Sequence, residues 1–297
     1  MKNSIQRTML ATAAMVSMIS AGLSSCSQPT PENASGNNEE VATPAPPPAE
    51  PAPEGTGQDQ SSQNAKALLK AMSDYLAAQK EISLSYDSIF EVVTDQKQKL
   101  QIATSGTVAL SRPDKIRTSR QAGFADTEMV YDGTTLSFLG KGMNAYVQTE
   151  VPGTVDALID QLRDRFHRQL PGADLLLANP YDGIMTDVTD VKDLGSGVIG
   201  GKECDHIAFR SKETDVQLWI AQGDQPYPCR YVITSKGVDQ SPQFTMVIRD
   251  WKAGSGAAGT NFSFTPPAGA RRLEVKDLAT IKETSDLPEN YRIGAAK

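Results

Sequence analysis

The chain is 297 residues long, with 29 basic and 36 acidic side chains, a net charge of −7 and a hydrophobic fraction of 39%. Much of the acidity lies early: from residue 63 onward the balance is 27 basic against 30 acidic residues, which excludes a nucleic-acid-binding domain built on a basic patch. Three cysteines and two histidines occur with no CxxC, HxxxH or HExxH spacing, so no recognised metal site is expected and no cofactor is implied.

Lys2 and Arg7 precede an apolar or small-residue run over 9–23. That run is shorter than the ~20 apolar residues of a spanning helix. A basic start, a short apolar core and a small-residue exit form the pattern of a secretory signal peptide. The exit, Leu23-Ser24-Ser25-Cys26, resembles the lipobox of bacterial lipoproteins. That resemblance implies removal of residues 1–25, lipidation of the Cys26 thiol and acylation of its new amine. Two or more acyl chains hold a protein stably at a bilayer. Ser27, in place of an Asp, points to the outer membrane rather than the inner, with the protein facing the periplasm of the cell envelope.

From 27 to 62 the composition shifts. Eight of the 18 prolines fall here, with six acidic residues, no Lys or Arg, and Val41 as the one large aliphatic side chain. Such a stretch cannot bury enough apolar area to offset its ordering entropy, and its prolines favour extended conformations. It reads as a disordered tether between Cys26 and one domain spanning 63–297.

In that domain the spacing of Leu69, Met72 and Leu76 predicts a helix over 65–79. Strands are expected at 82–93, 100–110, 116–121, 128–131, 136–139 and 145–149, with Asp132-Gly133 as a hairpin turn. A helix over 154–169 follows, capped by Thr154 and striped by Val155, Leu158, Ile159, Leu162 and Phe166, and Pro171-Gly172 stops it. A short helix at 173–177 precedes strands at 188–194, 198–201, 203–210, 216–221, 230–234, 244–251 and 261–264. Many short strands with few helices describe an α+β domain dominated by an antiparallel meander.

No catalytic constellation emerges. His167 lies between Arg165 and Arg168 in a helix and reads as solvated. His206 shares a strand face with Cys204, but nothing nearby would orient a Cys–His dyad, and a structural role fits both better. Gly195-Ser196-Gly197 and Gly200-Gly201 lack phosphate-loop spacing and read as turns. Cys204 and Cys229 are the thiols left in an oxidising compartment, where pairing is expected if geometry permits. In a plain meander they would face Ile220 from either side, roughly 9.5 Å apart, too far for a disulfide. A bulge at Pro226-Tyr227-Pro228 would close the gap, and the pairing stays open.

The segments Cys204-Asp205-His206-Ile207-Ala208-Phe209-Arg210, Gln217-Leu218-Trp219-Ile220, Gly223-Asp224, 226–234 and Ser241-Pro242-Gln243-Phe244 resemble an uncharacterised family of predicted periplasmic proteins. Asp250-Trp251, the closing Phe262-Ser263-Phe264-Thr265-Pro266-Pro267-Ala268-Gly269-Ala270, Val130-Tyr131-Asp132-Gly133 and the helix from Thr154 match it too. The likeness covers roughly 65–274. That family resembles the lipoprotein-carrier (LolA/LolB-like) superfamily. The resemblance implies a strongly curved, unclosed half-barrel lidded by a few helices, with acyl chains sheltered on its concave face. It departs at Val216, where members often carry Trp.

On this reading Val216, Leu218, Ile220, Met246 and Ile248 are candidate lining residues, with Leu69, Met72, Leu158 and Leu162 in the lid. The same pattern equally suits a filled core. The implied function is non-catalytic binding of a lipid, an acyl chain or a lipoprotein by a membrane-anchored protein. The alternative is an envelope scaffold with a filled core and an unspecified protein partner.

Overall fold

A computed structural model describes residues 55–275 apart from 95 and 167–169. The signal segment, Cys26, most of the tether and His167 lie outside the described residues.

The first helix, α1 (Gly55–Ala78), carries Leu69, Met72 and Leu76 on its buried face. It starts well before 65, inside the stretch whose composition reads as tether. Tertiary contact explains the early start: the Ser61 hydroxyl donates to the carbonyl of Asp193 at 3.3 Å and accepts from its N–H at 3.0 Å. Six strands follow: β1 (Glu81–Val93), β2 (Lys99–Ser111), β3 (Lys115–Ala122), β4 (Ala125–Tyr131), β5 (Thr135–Gly140) and β6 (Ala145–Glu150). A crossover of α2 (Val155–Asp164), a 3-10 turn (Ala173–Leu176) and α3 (Pro180–Met185) then leads to five more strands. These are β7 (Asp190–Ile199), β8 (Lys202–Arg210), β9 (Thr214–Ala221), β10 (Pro228–Ser235) and β11 (Gln243–Ala253), and a short β12 (Arg271–Leu273) ends the described chain.

The twelve strands of the described residues form one sheet in the order β12-β6-β5-β4-β3-β2-β1-β11-β10-β9-β8-β7. Neighbours are antiparallel except β12, which runs parallel to β6. The chain starts at the centre, meanders to one edge, crosses by its helices to the opposite edge and meanders back until β11 pairs with β1. The terminal strands β12 and β7 do not meet, so the sheet is an unclosed, curved half-barrel, as the resemblance implied.

Several expectations need correction. The strands expected at 188–194 and 198–201 are one strand, β7, with a register shift between Asp193 and Ser196 that absorbs Gly195. The stretch 261–264 is not a strand of the sheet. It crosses the outer face, where Arg117 donates to the Asn261 carbonyl at 2.7 Å and Phe264 packs on Tyr146 at 5.5 Å. Its alternation of half-buried Phe262 and Phe264 with exposed Ser263 comes from one-sided packing, which mimics a ladder residue. Helix α2 ends at Asp164 rather than 169, although Thr154 caps it as expected, accepting from Ala157 N–H at 3.3 Å.

The two long helices sit differently on the concave face. Helix α1 lies directly on β7 and β8, and its Leu69 and Met72 belong to the same buried core as Ile207, Phe209, Leu218 and Ile220. Helix α2 stands off the opposite half of the sheet. Its entry is fixed by Tyr131, whose buried hydroxyl donates to the carbonyls of Val151 and Gly153 at 2.7 and 2.8 Å. Arg112, at the end of β2, donates to the Leu177 carbonyl at 3.1 Å and fastens the far side of the crossover.

Candidate functional site

Between α2 and the sheet lies a cavity of about 400 Å³ whose floor is β1–β5 and β11. Strand pairing builds this floor in rows. Nearest α2, Leu84 lies opposite Val108, which is followed across the sheet by Thr118, Met129 and Phe138. The next row holds Ile248, Tyr86, Gly106, Arg120 and Thr127, and then come Met246, Ser88 and Thr104. The last row is Phe244, Phe90 and Ile102.

Along the inward face of β1, Leu84 and Ser88 are each 7% exposed, Tyr86 is half-buried and Phe90 is 37% exposed, while Val92 beyond it is buried again. The cavity is a trough, covered by α2 at the Leu84 end and most exposed at Phe90. From Leu84 to Phe90 the strand rises about 20 Å. The roof is the apolar stripe of α2, Val155, Leu158, Ile159 and Leu162, which is buried although an unfilled space lies beneath it.

Polar groups interrupt the floor halfway along. Ser88 and Thr104 share a hydrogen bond of 2.6 Å, and Thr127 is buried two strands away in the Tyr86 row. Tyr86 lies across Gly106, and burial pushes its hydroxyl pKa up against the opposing influence of Arg120. The trough thus offers hydrocarbon at its closed end, hydroxyls in the middle and aromatic rings at its mouth.

The expected lining residues divide cleanly. Met246, Ile248, Leu158 and Leu162 reach the trough. Leu218, Ile220, Leu69 and Met72 do not: they are fully buried where α1 covers β7–β9, and Val216 packs at the margin of that same core. The filled-core alternative therefore describes one half of the molecule, and an open cavity the other. Wall residues Tyr86, Phe90, Val108, Met129 and Phe138 were not singled out from sequence. Their strands place Ser, Thr, Gly and Arg at inward positions, which erases the apolar alternation that marks an inward face.

Cys204 and His206 form no dyad. His206 Nε2 bonds Gln217 Oε1 at 3.0 Å, and its ring stacks on Trp219 at 3.9 Å. The Cys204 sulfur faces Cys229 instead, at 2.8 Å. Among the described residues no group of three His, Cys, Asp or Glu side chains could hold a metal ion.

A lidded, unclosed antiparallel half-barrel with an unfilled apolar trough defines this as a half-barrel cavity protein. The chain belongs to the family described as predicted periplasmic protein (DUF2092), whose model matches residues 65–276. Solved structures with a similar fold include the lipoprotein LppX of Mycobacterium tuberculosis, at 12% identity and a TM-score of 0.34, covering 68% of this chain and 100% of that one. LprF of Mycobacterium bovis is 13% identical with a TM-score of 0.40, over 69% and 98% of the two chains. The LolA superfamily protein NE2245 of Nitrosomonas europaea is 11% identical with a TM-score of 0.30, over 63% and 92%. Comparison with curated proteins gives no match.

Proposed function

We propose that this periplasmic-family protein is a lipid-anchored envelope lipoprotein, held by Cys26, that binds one acyl chain of a lipid or of a lipoprotein in the trough and catalyses no reaction. The observation that carries this reading is the unfilled trough beneath α2, set beside the buried apolar core that α1 covers. A methylene fills roughly the ~30 Å³ of a liquid water, so a space of about 400 Å³ takes a chain of about a dozen carbons. Each buried CH₂ contributes about 0.8 kcal/mol. A single hydroxyl contact nets about 1 kcal/mol, so hydrocarbon sets the affinity and the hydroxyls set the depth of the polar end.

The test is native mass spectrometry of the full exported chain carrying Cys26→Ser, which removes its own acyl groups. A co-purifying acyl species, lost in Val108→Trp while circular dichroism stays unchanged, is the expected result. Trp at 108 projects into the trough and fills it. A clean apo mass, with no uptake of added single-chain lipids, would defeat the carrier reading and favour an envelope scaffold that binds a protein partner.

A further inference from the structure

Cys204 and Cys229 belong to β8 and β10, which are not neighbours, because β9 lies between them. A bulge closes the gap. Pro228 pairs with Ile220 and Arg230 with Trp219, so Cys229 is the extra residue of β10. The bulge falls at Cys229 itself, just beyond the 226–228 segment that the sequence suggests. It turns two successive side chains outward, since Arg230 lies over the Trp219 ring and Cys229 meets Cys204, while Pro228 and Tyr231 face inward. On the intervening strand the residue opposite Cys204 is Ala221, not Ile220, and its single methyl leaves room above it for two sulfurs.

The two Sγ atoms lie 2.8 Å apart. Both cysteines are buried, and Ile199, Trp219 and Tyr227 pack around them. We infer that Cys204 and Cys229 are joined by a disulfide in the exported protein, a covalent link between β8 and β10 that spans β9. The inference stands on the bulge and the sulfur pair, independent of whether the trough binds lipid.

The chemistry balances against a protein disulfide of the oxidising periplasm. One cysteine thiolate attacks the oxidant's disulfide and expels one oxidant thiolate. The second cysteine, as thiolate, attacks the mixed disulfide and expels the other. Two thiols of this chain lose two protons and two electrons, and the oxidant leaves as a dithiol. Burial raises both thiol pKa values in the folded chain, so few thiolates form there and none is accessible. Exchange therefore belongs to the stage before β8–β10 close, and the same burial later keeps reductants out.

The link also has a structural consequence at the trough. The bulged segment carries Tyr227, which stacks on Trp251 at 5.0 Å and accepts from Lys202 Nζ at 2.6 Å. Trp251 is part of the trough wall. Fastening Cys229 therefore fixes that wall.

The test uses the full exported chain, acid-quenched and then treated with iodoacetamide in denaturant without reductant. Peptide mass spectrometry should find neither cysteine alkylated and one 204–229 cross-linked pair, which reduction splits into two alkylatable peptides. Alkylation of both cysteines before reduction would overturn the inference. A second readout guards against loss in handling: reduction in denaturant, followed by refolding with reductant present, should lower the melting temperature of the parent by roughly 5–10 °C, and leave that of the Cys204→Ala/Cys229→Ala variant unchanged. An equal fall in both would count against the link.

Discussion

Gly106 shows how one residue sets the shape of the trough floor. A β-carbon there would fall 2.3 Å from the Ser119 carbonyl oxygen and 2.5 Å from the Tyr86 hydroxyl. The first contact is with backbone in the adjacent strand and cannot relax by a rotamer change. Gly106→Ala should therefore lower stability by about 1–3 kcal/mol and displace Tyr86 into the trough, as denaturant titration and tyrosine fluorescence would report. An unchanged unfolding midpoint would show that the strands yield more easily than this contact implies. His206 makes a second point. Burial against Trp219 is the larger cause that holds its pKa below the ordinary 6.5, Arg230 adds to it, and the hydrogen bond that its Nε2 donates to Gln217 Oε1 opposes it. A depressed folded pKa means that the unfolded chain takes up the proton first, so the contribution of His206 is intact above the ordinary value and is lost as pH falls through the folded one. The melting temperature should fall between pH 7 and 5, and less steeply in His206→Gln. Equal slopes for parent and variant would remove His206 from the account.

At the scale of elements, α1 and α2 carry similar apolar stripes and do different work. Leu69 of α1 is fully buried in the core that α1 forms over β7 and β8. Leu69→Ala should cost about 2–5 kcal/mol, as typical for a filled core, measured by chemical unfolding. A cost below 1 kcal/mol would mean that α1 is loosely seated. In α2 the stripe is equally regular, yet beneath it lies the trough. Periodicity identified both helices, because a 3.6-residue repeat reports that one side is shielded from water. It carries no information on what shields it. The strands tell the same story: 82–93 and 203–210 were readable within a residue or two, since alternation and turn residues are local. The 261–264 stretch misled because Phe262 and Phe264 alternate for packing on an outer face. The six residues of α3, begun by Pro180 and capped by Asn179, are too few to show a period.

For the whole molecule, the decisive event is the crossover between β6 and β7. It carries the chain from one edge of the sheet to the other, so the second meander closes on β1 from the far side. Strands β8 and β9 are thereby placed under α1, although more than a hundred residues separate them in the chain. That is why Leu218 and Ile220, the best-patterned inward residues, lie in the packed half, and why charging them would unfold the protein rather than test a cavity. What could be read from the sequence was local: the two amphipathic helices, the antiparallel meander and the family. Each rests on the order of neighbouring residues. Only the tertiary structure decided which half is filled, where the trough opens and that a bulge sets Cys229 beside Cys204. Those depend on how distant segments cover one another, and a helix stripe or strand alternation looks the same over a packed floor as over an empty one.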